Sequence, residues 1–225
     1  MSEHDRPTYV FFPTFAGWLM PPRGDVDVEA VVGQAERIVE RWSDRIQVRG
    51  AYTTTVFHGP VGAMMWWIGH SVEDFQGLLN DLRRSDVAGL LHGGQGFLGV
   101  VRPPETAPDH LPAFLRGESA RKYLCVYPFV RTPEWYLLPK EERAALLREH
   151  GEIGRAYPGV LPNTTSAFGL GDHEWILAFE ADELTELVDC IRRLRDSRSR
   201  LYVKEETPFI TGVRKDLAEV IRDVV

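Results

Sequence analysis

The stretches "YTTTVFHGPVGAMMWWIGHSVEDFQGLLNDLRRS" (residues 52–85) and "NTTSAFGLGDHEWILAFEADELTELVDCIRRLRDS" (163–197) decide how this sequence folds. Each reads as a strand, a tight turn, a second strand, an acidic helix start, an amphipathic helix, and then basic residues ending on Ser. They lie about 112 residues apart, half of the 225-residue chain. Self-similarity at a fixed period marks one architectural unit used more than once.

The match extends outward. "TYVFFPTFAGW" (8–18) corresponds to "KYLCVYPFVRT" (122–132), an apolar strand in each half. "VDVEAVVGQAERIVERW" (26–42) corresponds to "PKEERAALLREHGEIGRAY" (139–157), both helical, with acids early, Arg later and Pro139 suited to a first turn. "QGFLGVVR" (95–102) corresponds to "LYVKEETPFITG" (201–212), the last strand of each half. Each half therefore reads β-α-β-β-α-β, a ferredoxin-like unit. The fold class expected is α+β, with two such units pairing their sheets into one barrel and the helices outside. The boundaries predicted are a first unit over 1–101, a linker over 102–121 and a second unit over 122–225. The linker, "RPPETAPDHLPAFLRGESAR", is rich in Pro and polar residues, and a long linker in a compact protein is often functional.

Composition narrows the function. Hydrophobic residues make up 44% of the chain, enough for a real core. The formal charge of −7 argues against a nucleic-acid partner, which needs a basic surface. Cys125 and Cys190 are far apart and read as reduced core thiols. The start "MSEHDRPTYVFF" lacks the basic and apolar regions of a signal peptide, and no window approaches 18 uninterrupted apolar residues. A soluble, cytoplasmic protein without a membrane partner is expected.

In a duplicated fold the informative residues are those without a counterpart in the other half. His150, in "REHGEIG", shares a helix face with Leu146, Ile153 and Tyr157. A neutral imidazole there could bind iron through one nitrogen while a second group holds the other; the same spacing equally suits a hydrogen-bonded core histidine. Alternation along 122–131 places Tyr123, Cys125, Tyr127 and Phe129 on one strand face, with Arg131 near the end, and Trp135 and Tyr136 read as a loop before the helix. Aromatic residues beside a metal ligand suit radical chemistry or stacking on a flat ring; they also simply fill cores. His58 and His173 fall in hairpin turns, His4 in the terminus, His70 at a strand end or helix cap, and His92 in a glycine-containing loop. "HGGQG" (92–96) is not followed by GK[ST], and there is no HExxH or GxSxG, so kinase and hydrolase readings have no footing.

The segment "YPFVRTPEWYLLPKEERAALLREHGEIGRAYPGVLPNTTSAFGLGDHEWILAFEADEL" (127–184) closely resembles the coproheme decarboxylases of actinobacteria, within the chlorite dismutase-like superfamily. The resemblance continues through "RLYVKEETPFITG" (200–212) and covers "DHLPAFLRGE" (109–118); the first half matches in layout, notably "VRGAY" (48–52) and "EDFQGLLNDLRRS" (73–85). It departs in the first strand, where the family carries an Arg-containing "VFR", and in "LLHGGQGFLGVV". The resemblance implies hydrogen peroxide-dependent oxidation of iron coproporphyrin (coproheme), two of whose propionates become vinyl groups to give haem b. It implies that His150 is the proximal iron ligand, Tyr127 the redox-active tyrosine and His110 the distal acid or base. Arg131 would lie near a propionate and Trp135 against the porphyrin edge, with Asn163 and Ser199 as further candidates to line the pocket. It also implies a homo-oligomeric ring, commonly a pentamer, and a transient contact with ferrochelatase. The alternatives are a chlorite dismutase or other haem peroxidase of the same superfamily, or a haem-binding protein without catalysis.

Overall fold

The computed structural model describes residues 6–16, 26–57, 60–103 and 111–224. Its contacts divide the chain into two compact units, Met1–Val101 with Ile210–Val225, and Arg102–Phe209.

In the first unit β1 (Tyr9–Ala16), α1 (Val28–Arg41), β2 (Ile46–Thr53), β3 (Ala63–Gly69), α2 (Val72–Arg83) and β4 (His92–Val100) follow in order. β1 pairs antiparallel with both β3 and β4, and β2 pairs with β3, so the strands run β4-β1-β3-β2 across the sheet. Asp27 and Ser71 start the two helices by accepting the backbone N–H groups of Ala30 and Asp74. α1 buries Val31, Val32, Ala35 and Ile38 and α2 buries Phe75, Leu78 and Leu82, each set at helical spacing, against a core that includes Met65 and Trp67. A side chain on Gly77 would place its Cβ 2.1 Å from the Trp42 ring, so this position of α2 must stay bare. His92 is the first residue of β4 rather than part of a loop. β1 leaves no room for a side chain at two glycines of this strand: a Cβ on Gly94 would meet the Thr14 hydroxyl at 2.7 Å and one on Gly96 the Phe11 ring at 2.6 Å.

In the second unit β5 (Tyr123–Arg131), α3 (Pro133–Leu137), α4 (Lys140–Gly154), β6 (Leu161–Ser166), β7 (Trp175–Ala181), α5 (Leu184–Leu194) and β8 (Val203–Glu205) repeat the order with one added short helix. β7 pairs antiparallel with β5 and β6, and β8 with β5, giving β8-β5-β7-β6, the order of the first unit again. Cys125, Tyr127, Phe179, Leu187 and Cys190 pack into one core under α5, with Phe129, Tyr157 and Phe209 at its margin. Alternation along β5 therefore runs as its sequence requires. Trp135 and Tyr136 belong to α3, not to a loop: Pro133 starts a single helical turn, and Leu138 N–H closes it onto Glu134 and Trp135.

The stretch expected to be one terminal strand is broken. Arg198–Tyr202 forms a 3-10 turn, Val203–Glu205 is β8, and β9 (Ile210–Lys215) pairs with β2 in the first unit. A further helix, α6 (Leu217–Asp223), follows with a capping box between Asp216 and Glu219. Among the described residues there are thus six α-helices around antiparallel sheet, an α+β fold. No described helix is long and apolar enough to cross a membrane.

Candidate functional site

α4 carries few buried residues, only Leu146 among its fifteen, which leaves its C-terminal half free to present polar groups. His150 lies there, half-buried. Its Nδ1 is 3.4 Å from the Ser199 hydroxyl, which is 3.0 Å from the Ser197 hydroxyl. The 3-10 turn holding both serines is fastened to α4 by Glu149, which accepts from the Arg198 backbone N–H at 2.8 Å and from its guanidinium Nε at 2.7 Å. No hydrogen bond from a described residue reaches the other imidazole nitrogen, Nε2. Burial pushes the His150 pKa below its usual value, reinforced by the Arg131 charge and opposed by Glu149, so the neutral imidazole is favoured.

Arg131, at the end of β5, donates from Nη1 to the Ser199 carbonyl at 2.9 Å. Its guanidinium lies 4.0 Å from the Trp135 ring centroid and 4.6 Å from that of Phe129. Burial lowers the Arg131 pKa to about 10, against the opposing influence of Tyr136 and Glu174, and it remains cationic at neutral pH. Glu174 accepts from the Arg131 backbone N–H at 2.7 Å and from the Tyr136 hydroxyl at 2.5 Å, fixing the strand end to α3. Trp135 is buried, its ring 5.7 Å from that of Tyr202. His150, Ser199, Arg131 and Trp135 thus meet in one neighbourhood: a neutral imidazole with one nitrogen open, a cation, and a flat apolar face.

Tyr127 lies further back along β5 on the same side as Phe129. It is 6% exposed, stacked on Phe209 at 4.4 Å and set edge-on to Phe179 at 5.8 Å. Burial, with the neighbouring Cys125 and Glu206, holds its phenol protonated far above the usual range. Asn163 lies on β6, and its amide bonds within the protein: Oδ1 accepts from the Phe114 N–H at 3.0 Å, while Nδ2 donates to the Ala178 carbonyl and the buried Glu180 carboxylate. That network anchors the turn Ala113–Arg116. His110, like His58, lies outside the described residues.

The sequence did not single out Arg195, Arg200 and Glu206. Glu206 receives both guanidinium groups, Arg200 Nη1 at 2.7 Å, in the segment that ends at Phe209. Only the "KEE" pattern following "RRLRDSRSR" hinted at it.

The family model described as chlorite dismutase matches residues 28–215. The chain belongs to the chlorite dismutase family. It is 41% identical over 215 residues to a coproheme decarboxylase of Mycolicibacterium smegmatis, covering 95% of this chain and 92% of that one. A mutant chlorite dismutase from Candidatus Nitrospira defluvii superposes with a TM-score of 0.84 over 97% of this chain and 96% of its own, at 23% identity. The chlorite dismutase of the same organism in complex with imidazole gives 0.84 at 22% identity over 98% and 96%. At those identities the solved structures speak for the fold alone, whereas the coproheme decarboxylase is a relative in sequence. The family site can be tested on this chain's own donors. Among the described residues no three His, Cys, Asp or Glu come together to hold a metal ion. A single imidazole with Nε2 open suits an iron whose remaining donors arrive with it in a porphyrin, so the residues fit that group.

Proposed function

We propose that the chain is a peroxide-dependent coproheme decarboxylase, converting two propionates of iron coproporphyrin to vinyl groups and yielding haem b. The observation that carries the reading is the open Nε2 of His150, held by a hydroxyl at Nδ1 and adjoined by a buried cation and Trp135. The 41% identical coproheme decarboxylase supports the choice of reaction.

The bound iron porphyrin together with peroxide supplies the oxidising power; the chain's residues direct it. His150 binds through Nε2 while Nδ1–H donates to Ser199, which fixes the ring's tautomer. Arg131 pairs with a propionate by charge-assisted hydrogen bonds, pre-oriented by its stacking on Trp135. His110 takes a proton from peroxide and returns it to the leaving oxygen. Tyr127, kept as a neutral phenol, gives up its electron and proton together and then regains a hydrogen atom from the propionate β-carbon. Each propionate loses that hydrogen, carbon dioxide and one further electron, a two-electron oxidation matched by one peroxide reduced to water.

The sequence halves 1–101 and 122–225, joined by the linker 102–121, are copies of one ferredoxin-like unit and pair into an α+β barrel; the strand order shared by β1–β4 and β5–β8 supports the duplication, while by its contacts the end Ile210–Val225 groups with Met1–Val101. The protein acts in the cytoplasm as a ring, a homopentamer, and makes a transient contact with ferrochelatase.

The test is to add iron coproporphyrin and peroxide to the purified chain and follow stepwise loss of two carboxyl groups by mass spectrometry. Binding without conversion would reduce the protein to a haem carrier. His150→Ala should abolish the ligand-dependent Soret shift; an unchanged spectrum would remove His150 from the site.

A further inference from the structure

The Arg195–Glu206–Arg200 cluster has no part in the scheme above. Glu206 is 14% exposed and bonds through one oxygen to Arg195 and through the other to Arg200 Nη1 at 2.7 Å; the arginine side chains are 35% and 41% exposed. Two guanidinium groups on one carboxylate leave one positive charge uncompensated. The same short segment, Val203–Phe209, also touches Tyr127: Phe209 stacks on the phenol at 4.4 Å, and the Arg195 guanidinium lies 5.9 Å from the Phe209 ring. One strap therefore engages the arginine pair at Glu206 and covers Tyr127 at Phe209. A propionate can lose a hydrogen atom to Tyr127 only by approaching the ring, which Phe209 and Phe179 now enclose. Guanidinium forks match carboxylates in shape and charge, so a propionate arriving there meets two cations already arranged around one.

We infer that Glu206 is a stand-in carboxylate: it occupies the Arg195–Arg200 pair in the free protein, yields it to a substrate propionate, and carries Phe209 away from Tyr127 as it leaves. The inference rests on the proposed decarboxylation and adds to it a device for telling substrate from product. Exchanging one carboxylate for another keeps the charge balance of the arginine pair, so the cost of releasing Glu206 is offset by the incoming propionate. Once that propionate has become a vinyl group, no carboxylate remains at that position of the porphyrin to replace Glu206, since the two propionates that haem b keeps lie elsewhere on the ring. The ion cluster re-forms, the strap returns over Tyr127, and the product is disfavoured. A ligand shifts such a two-state element only by its differential affinity, and here the difference lies in the carboxylate itself.

The experiment is a Soret titration of the wild type, Glu206→Gln and Arg200→Ala with iron(III) coproporphyrin and, separately, iron(III) protoporphyrin. Removing the competing carboxylate in Glu206→Gln should tighten coproporphyrin about tenfold and leave protoporphyrin within about twofold. Arg200→Ala should weaken coproporphyrin by a similar factor, again with little effect on protoporphyrin, and remains informative if the Gln variant does not fold. Glu206→Asp should keep the preference closer to the wild type. Equal changes for both porphyrins, or weaker coproporphyrin binding by Glu206→Gln, would overturn the stand-in role. Wild-type protein that binds coproporphyrin and converts it while the variants keep the wild-type ratio overturns the stand-in role alone. Wild-type protein that binds neither porphyrin overturns the decarboxylase reading with it.

Discussion

Tyr127 and Phe129 occupy alternate positions of one strand, yet one is a buried phenol and the other supports the Arg131 cation. The difference comes from what faces them: Phe209 and Phe179 close over Tyr127, whereas the end of β5 opens toward α3 and Ser199. If Tyr127 carries the hydrogen-atom step, Tyr127→Phe keeps the ring packing and deletes only the hydroxyl. Coproporphyrin binding should then stay within about threefold by titration, while haem b formation falls by about a hundredfold or more, the size of loss expected when a positioned reacting group is removed. Normal haem b yield from this variant would end the radical role. At this scale the sequence was informative where a residue type was unusual for its place. His150 on an otherwise ordinary helix and the Tyr127–Arg131–Trp135 spacing could be picked out. The hydroxyl partner of His150 and the Glu206 cluster could not, because each joins segments through a turn whose path depends on packing. Asn163, a candidate to line the pocket, turns its amide to Phe114, Ala178 and Glu180, an outcome that β6 pairing decides and spacing does not.

Elements with strong periodicity were legible, and those set by local chain chemistry were less so. α1, α2 and α5 follow their apolar spacing, whereas the single turn of α3 is too short to show a period, and the terminal strand breaks over Thr207 and Pro208, which has no N–H for a ladder. α6 did carry a signal, the Asp216–Glu219 capping box, in seven residues that follow a strand. The least expected element-level feature is the polar network in the second unit. Glu180 on β7 is fully buried and accepts from Asn163 Nδ2 at 3.1 Å and from the Arg121 N–H at 3.2 Å, and with the Asn163 bond to the Phe114 N–H this ties β6 and β7 to the Ala113–Arg116 turn and to Arg121 beyond it. Asn163→Ala removes a partner from Glu180 and from the Phe114 N–H at once, at a cost of about 1–3 kcal/mol. For a chain of this size each kcal/mol lowers Tm by about 2–4 °C. Asn163→Asp should cost more than Ala, because it sets a second carboxylate against Glu180. Thermal denaturation of the two variants checks the order; equal and negligible shifts would show the network to be a spectator.

For the whole molecule the shared strand order of the two units has a physical consequence. Both units reproduce one strand order, but the first fills its sheet–helix layer with Trp67, Met65, Phe75 and the apolar faces of α1 and α2, and among the described residues no histidine is buried there. The second has α4, with one buried residue in its length, and places His150 where the first unit uses packing. On the proposed reading, ligand binding and core stability are thus divided between two units of one strand order. Iron coproporphyrin at a hundred times its Kd should stabilise the folded state by about 2.7 kcal/mol. Local openings of the binding elements should be suppressed by up to that amount, since a ligand that binds only the closed form opposes every opening that breaks its site. Hydrogen exchange with and without iron(III) coproporphyrin should therefore slow in α4, in the Arg198–Tyr202 turn and at the end of β5, about a hundredfold at saturation, while α1 and α2 stay within about twofold. His150→Ala should lose most of the effect on α4. Protection concentrated on α1 and α2 would mean that the porphyrin is held by the first unit, and that the polar face of α4 serves something else.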